Sequence, residues 1–256
     1  MKFLSNPLNR AAFPLRVWAV LLLLAIPAAV LVTLLPGREL RRRAARRAGR
    51  MIFAAAGIGV RATGLERLPT GACFLASSHA TYLDGPLLTS VLPPRFGFVI
   101  KREVMRTPVL GWLLVRLGSV FVERFNTRGA MIDGNRLIQF ARQGVSLCVF
   151  PEGTFRVEPG LRAFHLGTFL AATRAGIPVV PVVISGARAI LPGESLWPRP
   201  GWIEVEVLEP IIPAGKRGDD ARALRDQVRA AILAHVSDLE REHAEPQRRA
   251  TNPRDT

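Results

Sequence analysis

A histidine and an aspartate stand five positions apart in SSHATYLDGP, residues 77–86: His79 and Asp84. An imidazole beside a carboxylate is a pairing that removes a proton from a hydroxyl. One ring nitrogen acts as the base while the acid accepts from the other, fixing the tautomer and stabilising the imidazolium. The same ten residues fit a second reading. Asp84, followed by Gly85 and Pro86, has the form of a helix N-cap with proline in the first turn, and a lone histidine is commonly a core residue. In a straight helix a spacing of five sets two side chains about 140° apart, so the pair meets only where the chain turns between a strand and a helix.

The elements around the pair supply that junction. From residue 58 onward, β-branched runs alternate with helical patterns. GVRATG, ACFLAS, FGFVIK, SVFVER, VSLCVF, IPVVPVVIS and WIEVEVLE read as strands; DGPLLTSVL, REVMRTPVLGWLLVRLG, TRGAMIDGNRLIQFARQG and FHLGTFLAATRAG read as helices between them. A last helix runs from about Asp219 to Glu240. The alternation predicts an α/β fold with a largely parallel central sheet flanked by helices. Ligands of such folds bind where strands end and loops begin. Three polar clusters hold such positions: SSHATYLD after ACFLAS, VERFNTR after SVFV, and PEGTFR after VSLCVF. Taken singly, Arg124 reads equally as a surface arginine and Glu152 as a solvated turn residue. A histidine, an acid and an arginine at one sheet edge are harder to explain as surface residues.

Before this domain, Val17 to Leu35 form a 19-residue uncharged run. As a helix it spans roughly 28 Å, close to the hydrocarbon thickness of a bilayer, with Pro27 placed to kink it. RELRRRAARRAGR follows, with seven arginines against one glutamate. A transmembrane or membrane-embedded helix is therefore predicted ahead of the α/β domain, which the positive-inside rule places on the cytoplasmic side of the cell's inner membrane. A cleaved signal peptide would carry its charge before the apolar run. Arg42, Arg43, Arg46, Arg47 and Arg50 share an arc of roughly 140° and are expected to meet anionic membrane lipids. The expected organisation is an anchor and basic segment over residues 1–50, a domain over 51–244 and a disordered tail over 245–256.

The 256 residues carry a net charge of +15; removing the arginine run's seven arginines and one glutamate leaves +9, so the domain too expects an acidic partner. Hydrophobic residues make up 49% of the chain, and there is a single tyrosine. That favours a membrane over nucleic acid, whose binders interleave aromatic and basic residues. No HExxH or Cys/His cluster suggests a metal, and no GxSxG elbow suggests an α/β-hydrolase. Cys73 and Cys148, each within an apolar strand, read as buried reduced thiols.

His79, Asp84, GSVFVER (118–124), FPEGT (150–154) and IPVVPV (177–182), in this order, resemble the conserved blocks of the glycerophospholipid acyltransferases, above all the lysophosphatidate (1-acylglycerol-3-phosphate) acyltransferases. The likeness spans about residues 58–208. It implies transfer of a fatty acyl group from acyl-CoA or acyl carrier protein to the free hydroxyl of lysophosphatidate, giving phosphatidate, with no bound cofactor or metal. A thioester is already activated, so no covalent nucleophile is needed; His79 as base and Asp84 as its orienting acid suffice. The resemblance assigns Phe121 and Arg124 to glycerophosphate binding, and a planar bidentate donor suits that phosphate. It gives Glu152, Gly153 and Thr154 a share in shaping the site and makes Lys101 a second phosphate contact. The chain departs from the family pattern at Phe155 and Arg156, after FPEGT, and at His165 and Leu166. Those positions bear on the head group, so glycerol-3-phosphate, another lysophospholipid or a lyso-ornithine lipid are alternative acceptors. A non-enzymatic binder of anionic lipid is the alternative of a different class, and it leaves the strand-end clusters unexplained.

Overall fold

The structure, a computed structural model, describes residues 7–123, 127–154, 158–192, 195–237 and 241–247. Seven strands, β1 (Gly59–Thr63), β2 (Phe74–Ser77), β3 (Gly97–Lys101), β4 (Val120–Val122), β5 (Leu147–Val149), β6 (Val179–Ser185) and β7 (Trp202–Val207), form one sheet in the order β1-β7-β6-β2-β5-β3-β4. Every neighbouring pair is parallel except β6 and β7. β2 lies in the middle, and all four of its residues are buried, as a strand covered on both faces requires. Side chains alternate along it. Phe74 and Ala76 join a core with helices α6 (Thr127–Arg142), α7 (Gly167–Ala175) and α9 (Gly218–His235). Cys73 and Leu75 face the opposite layer. That second layer holds α1 (Pro7–Val20), α3 (Arg38–Ala56), α4 (Asp84–Val91) and α8 (Ala187–Ile190), with α2 (Ile26–Leu34) and α5 (Leu110–Arg116) packed on each other beside it.

The apolar run forms a nearly continuous helix. Between α1 and α2 the chain makes a π-helical turn over Leu21–Ala25, and Ile26 N–H donates to Leu21 O. Pro27, which has no N–H to continue the regular ladder, follows at once. After Pro36 and Gly37 (φ +70°) the chain enters α3, which packs against both α1 and α2. Phe13 and Val17 of α1 share their core with Phe53 of α3 and Leu75 of β2. The domain boundary expected at residue 50 therefore falls inside α3, and the anchor and the domain share one core. Leu22, Leu23, Leu31 and Leu34 point outward and are exposed.

Several arginines of the run make contacts within the protein, for a physical reason. The last carbonyls of a helix lack intrahelical donors, and α3 crosses three helix ends. Arg46 donates to Val91 O at 3.0 Å and Arg50 to Ser90 O at 3.0 Å, at the end of α4. Arg42 reaches Leu117 O at 2.8 Å and Gly118 O at 3.3 Å, past the end of α5, and Arg95 O at 2.9 Å, in the loop before β3. Arg41 and Arg116 serve Leu35 O and Thr33 O at the end of α2. Burial, and secondarily Arg38, pulls the Arg42 guanidinium down to about 10. So Arg42, Arg46 and Arg50 tie helices together, and Arg43, Arg47 and Arg50 are exposed.

Two helix boundaries and the tail also differ from expectation. The single helix predicted over 102–118 is split into a 3-10 turn, Arg102–Arg106, and α5. Thr107 precedes Pro108, which drives it out of the helical region to ψ 120°, and Val109 takes φ +61°. Gly111 permits the resulting close approach: a Cβ there would lie 2.2 Å from Met105 O. α9 ends at His235, where Val236 turns extended; residues 238–240 lie outside the described set. Finally, Glu245 and Gln247, placed by the sequence in a disordered tail, are hydrogen-bonded to the domain.

Candidate active site

β2, β5, β3 and β4 are adjacent and parallel, so their C-terminal ends share one edge of the sheet. That edge carries His79 just after β2, Phe150 and Glu152 after β5, Lys101 at the end of β3 and Glu123 after β4. The chain turns between β2 and α4, as the pair requires. His79 Nδ1 lies 2.7 Å from Asp84 Oδ2. With Nδ1–H donated to the carboxylate, Nε2 holds the ring's lone pair.

Asp84 is fully buried. It does not cap its own helix in the expected way. Its Oδ2 accepts the N–H groups of Ala80 (2.7 Å) and Thr81 (2.9 Å), and its Oδ1 accepts the Thr81 hydroxyl at 3.1 Å. The side chain thus reaches backward and holds the turn that carries His79. The histidine ring stacks on Phe150, with centroids 4.1 Å apart. Its backbone N–H donates to Glu152 Oε1 at 2.8 Å, and Glu152 Oε2 accepts Arg162 N–H at 2.9 Å. Glu152 is buried, and its carboxylate holds two loops together.

A cavity of about 940 Å³ opens beside the pair. Its polar lining includes His79, Tyr82, Lys101, Thr154 and Glu158. Its apolar walls come from Ala25, Ala28, Ala29 and Val32 on and next to α2, from Ala45, Ala48, Gly49 and Ile52 on α3, and from leucines of α5. Among the residues named from sequence, His79, Lys101, Gly153 and Thr154 line this cavity, and Asp84 backs His79. Phe121 and Glu152 are not in its lining. Arg124 lies outside the described residues, as do Phe155 and Arg156. Phe150, Thr81 and the alanine walls were not singled out from sequence; Phe150 stood within the FPEGT block, and the alanines were hidden in segments read as anchor and basic stripe.

Comparison with known proteins places this geometry. The acyltransferase family model matches residues 59–185, which runs from β1 to the end of β6 and contains the pair. A lyso-ornithine lipid O-acyltransferase of Pseudomonas aeruginosa is 31% identical over 219 residues, covering 78% of this chain and 83% of that protein. The chain belongs to the acyltransferase family. A chloroplastic 1-acyl-sn-glycerol-3-phosphate acyltransferase of Brassica napus is 32% identical over 177 residues, and the chain spans about half of that protein's length, 50%. The alpha 1-acyl-sn-glycerol-3-phosphate acyltransferase of mouse is 32% identical over 180 residues, 63% of its length. The crystal structure of the 1-acyl-sn-glycerophosphate acyltransferase PlsC from Thermotoga maritima superposes with a TM-score of 0.70 over 89% of this chain and 96% of that one, at 21% identity.

Proposed function

We propose that this acyltransferase moves a fatty acyl group from acyl-CoA or acyl carrier protein to the free hydroxyl of lysophosphatidate. The observation that carries the reading is a half-buried histidine paired with a fully buried aspartate, beside a large cavity walled by alanine and leucine. His79 Nε2 takes the hydroxyl proton as the oxygen attacks the thioester carbonyl. The tetrahedral oxyanion collapses, the C–S bond breaks, and the departing thiolate recovers the proton from the imidazolium. Asp84 stabilises that imidazolium and holds the ring's tautomer. Base catalysis of this kind contributes on the order of 10² to 10⁴ in rate. The apolar walls suit a hydrocarbon chain, and Lys101 with Arg124 suits the acceptor's phosphate.

A second acceptor is favoured by one observation. Glu158 lines the same cavity as Lys101, so an acid and a base there would suit a zwitterionic amino-acid lipid such as a lyso-ornithine lipid. Both readings are tested by assaying the purified chain in detergent against lysophosphatidate, lyso-ornithine lipid and glycerol-3-phosphate with either donor, products read by mass spectrometry. Lysophosphatidate is expected to be acylated fastest. If no acceptor gains a chain, the enzymatic reading fails.

The helix from Ala12 to Leu34, 23 residues long and mostly exposed, is proposed to lie embedded in the inner membrane from its cytoplasmic side, because it packs along α3 and α5 instead of leaving the domain. Retention in the membrane pellet after a high-salt wash is the expected result; release into the supernatant contradicts it.

A further inference from the structure

The segment after α9 returns to the catalytic edge. Glu245 N–H donates to Leu161 O at 2.9 Å. The side-chain amide of Gln247 pairs with both backbone groups of Phe164: its Oε1 accepts the N–H at 2.9 Å and its Nε2 donates to the carbonyl at 3.1 Å. Arg229 of α9, only 9% exposed, donates to Arg162 O (3.2 Å), to Leu161 O (3.3 Å) and to Glu245 O. The Arg162 guanidinium lies 3.6 Å from the Glu245 carboxylate. Contact is so close at Gly160, where φ is +118°, that a Cβ would lie 2.0 Å from His243 O.

The loop so gripped has no regular structure of its own from residue 158 to 166. Its position is set by these partners, together with the burial of Leu161 and Phe164 in the core and the His165 N–H donated to Pro151 O at 2.9 Å. It is also the loop whose Arg162 N–H holds Glu152, and Glu152 holds the backbone N–H of His79. We infer that residues 243–247 act as a strap that positions the catalytic histidine through the loop and Glu152, with Gln247 and Arg229 as positioning residues. The mechanism rests on the acyl-transfer reading above; the strap itself does not. A displacement of about 1 Å in a reacting group is enough to cost up to about a hundredfold in rate, so loosening the loop lowers turnover without altering the cavity walls that bind the chains.

The test uses the full-length protein with Gln247→Met, which keeps the stem and removes the amide, and Gln247→Glu, which keeps an oxygen for Phe164 N–H. Acyl-transfer kinetics are measured beside hydrogen exchange of the backbone amides. The expected result for Gln247→Met is a kcat lowered about tenfold or more with acceptor KM within about twofold, and faster exchange confined to residues 79–84, 160–165 and the strap itself, 243–247. Gln247→Glu is expected to fall between it and the unaltered chain. Unchanged exchange at residues 79–84 overturns the strap whatever the activity, and so does a uniform rise across the sheet, which would signify plain destabilisation. Unchanged kcat in both variants with locally faster exchange overturns the link to catalysis. If the unaltered chain shows no acyl transfer, the functional reading fails, and the exchange measurement still decides the strap.

Discussion

His79 Nδ1 lies 2.7 Å from Asp84 Oδ2, and the same oxygen accepts the backbone N–H groups of Ala80 and Thr81. One carboxylate oxygen thus builds the turn and orients the imidazole. The two duties respond differently to substitution. Asn at position 84 retains an oxygen for the three donors, and its amide faces the Thr81 hydroxyl, which has lone pairs to accept. Ala leaves two N–H groups without their acceptor at a buried site. Asp84→Ala is expected to lose about 2–3 kcal/mol of stability and Asp84→Asn much less, as read by chemical denaturation. Equal losses would mean that the charge, and not the turn, stabilises the fold.

If the cavity takes the acyl chain, as proposed, its alanines set the room available to it. Ala48 on α3 lines it, and Ala48→Phe would fill part of it. The expected outcome is a shift of donor preference toward shorter chains, with short-chain turnover preserved within about threefold. An unchanged chain-length profile would place the acyl group elsewhere.

The arginines of α3 divide into two kinds. Arg42→Ala strips the donor from two carbonyls at the end of α5 and one in the loop before β3 and is expected to cost about 1–3 kcal/mol. Arg43→Ala breaks only an exposed pair with Glu39 and is expected to stay within about 0.5 kcal/mol of the unaltered chain. Denaturant melts of the two variants in the same detergent compare them directly; equal costs would contradict the capping role.

Why the sequence revealed some of this and concealed the rest follows from the range of each interaction. The strands announced themselves through β-branched runs such as IPVVPVVIS, and His79 and Asp84 through a spacing of five, because both signals are local. The direction of Asp84's hydrogen bonds was hidden, since a residue that caps forward and one that braces backward have the same neighbours. Glu152 meets His79 across 73 positions, and no local pattern records that. Alanines facing a cavity and alanines facing lipid have the same hydropathy, so the α2 wall passed as anchor. The arginine stripe was legible as a stripe, but its partners are carbonyls, and every residue type carries one. Pro108 did signal the break before α5; the apolar periodicity of VLGWLLVRL masked it.

The thiols offer a test of the sheet's centre. Burial pushes the Cys148 thiol far up, and Cys73 up as well, with Arg95 and Ser146 pulling weakly the other way for Cys73. A thiol whose ionisation is suppressed does not react at neutral pH. Alkylation of the folded protein is expected at neither residue, and at both after denaturation, by mass spectrometry. Labelling of Cys148 in the folded chain would contradict its placement beside Leu75 in the middle of the sheet.

The most direct measurement of the central claim is a double-mutant cycle of His79→Ala and Asp84→Asn, with acyl transfer read for each single variant and for the pair. A base and its orienting acid act as one unit, so their losses do not add. Asp84→Asn is expected to fold normally yet lose at least about 10² in kcat, since its amide brings no charge to the imidazolium. The double variant is expected to fall no further than His79→Ala alone. A folded Asp84→Asn protein with close to full activity, or losses that multiply in the double variant, would contradict catalysis by the pair.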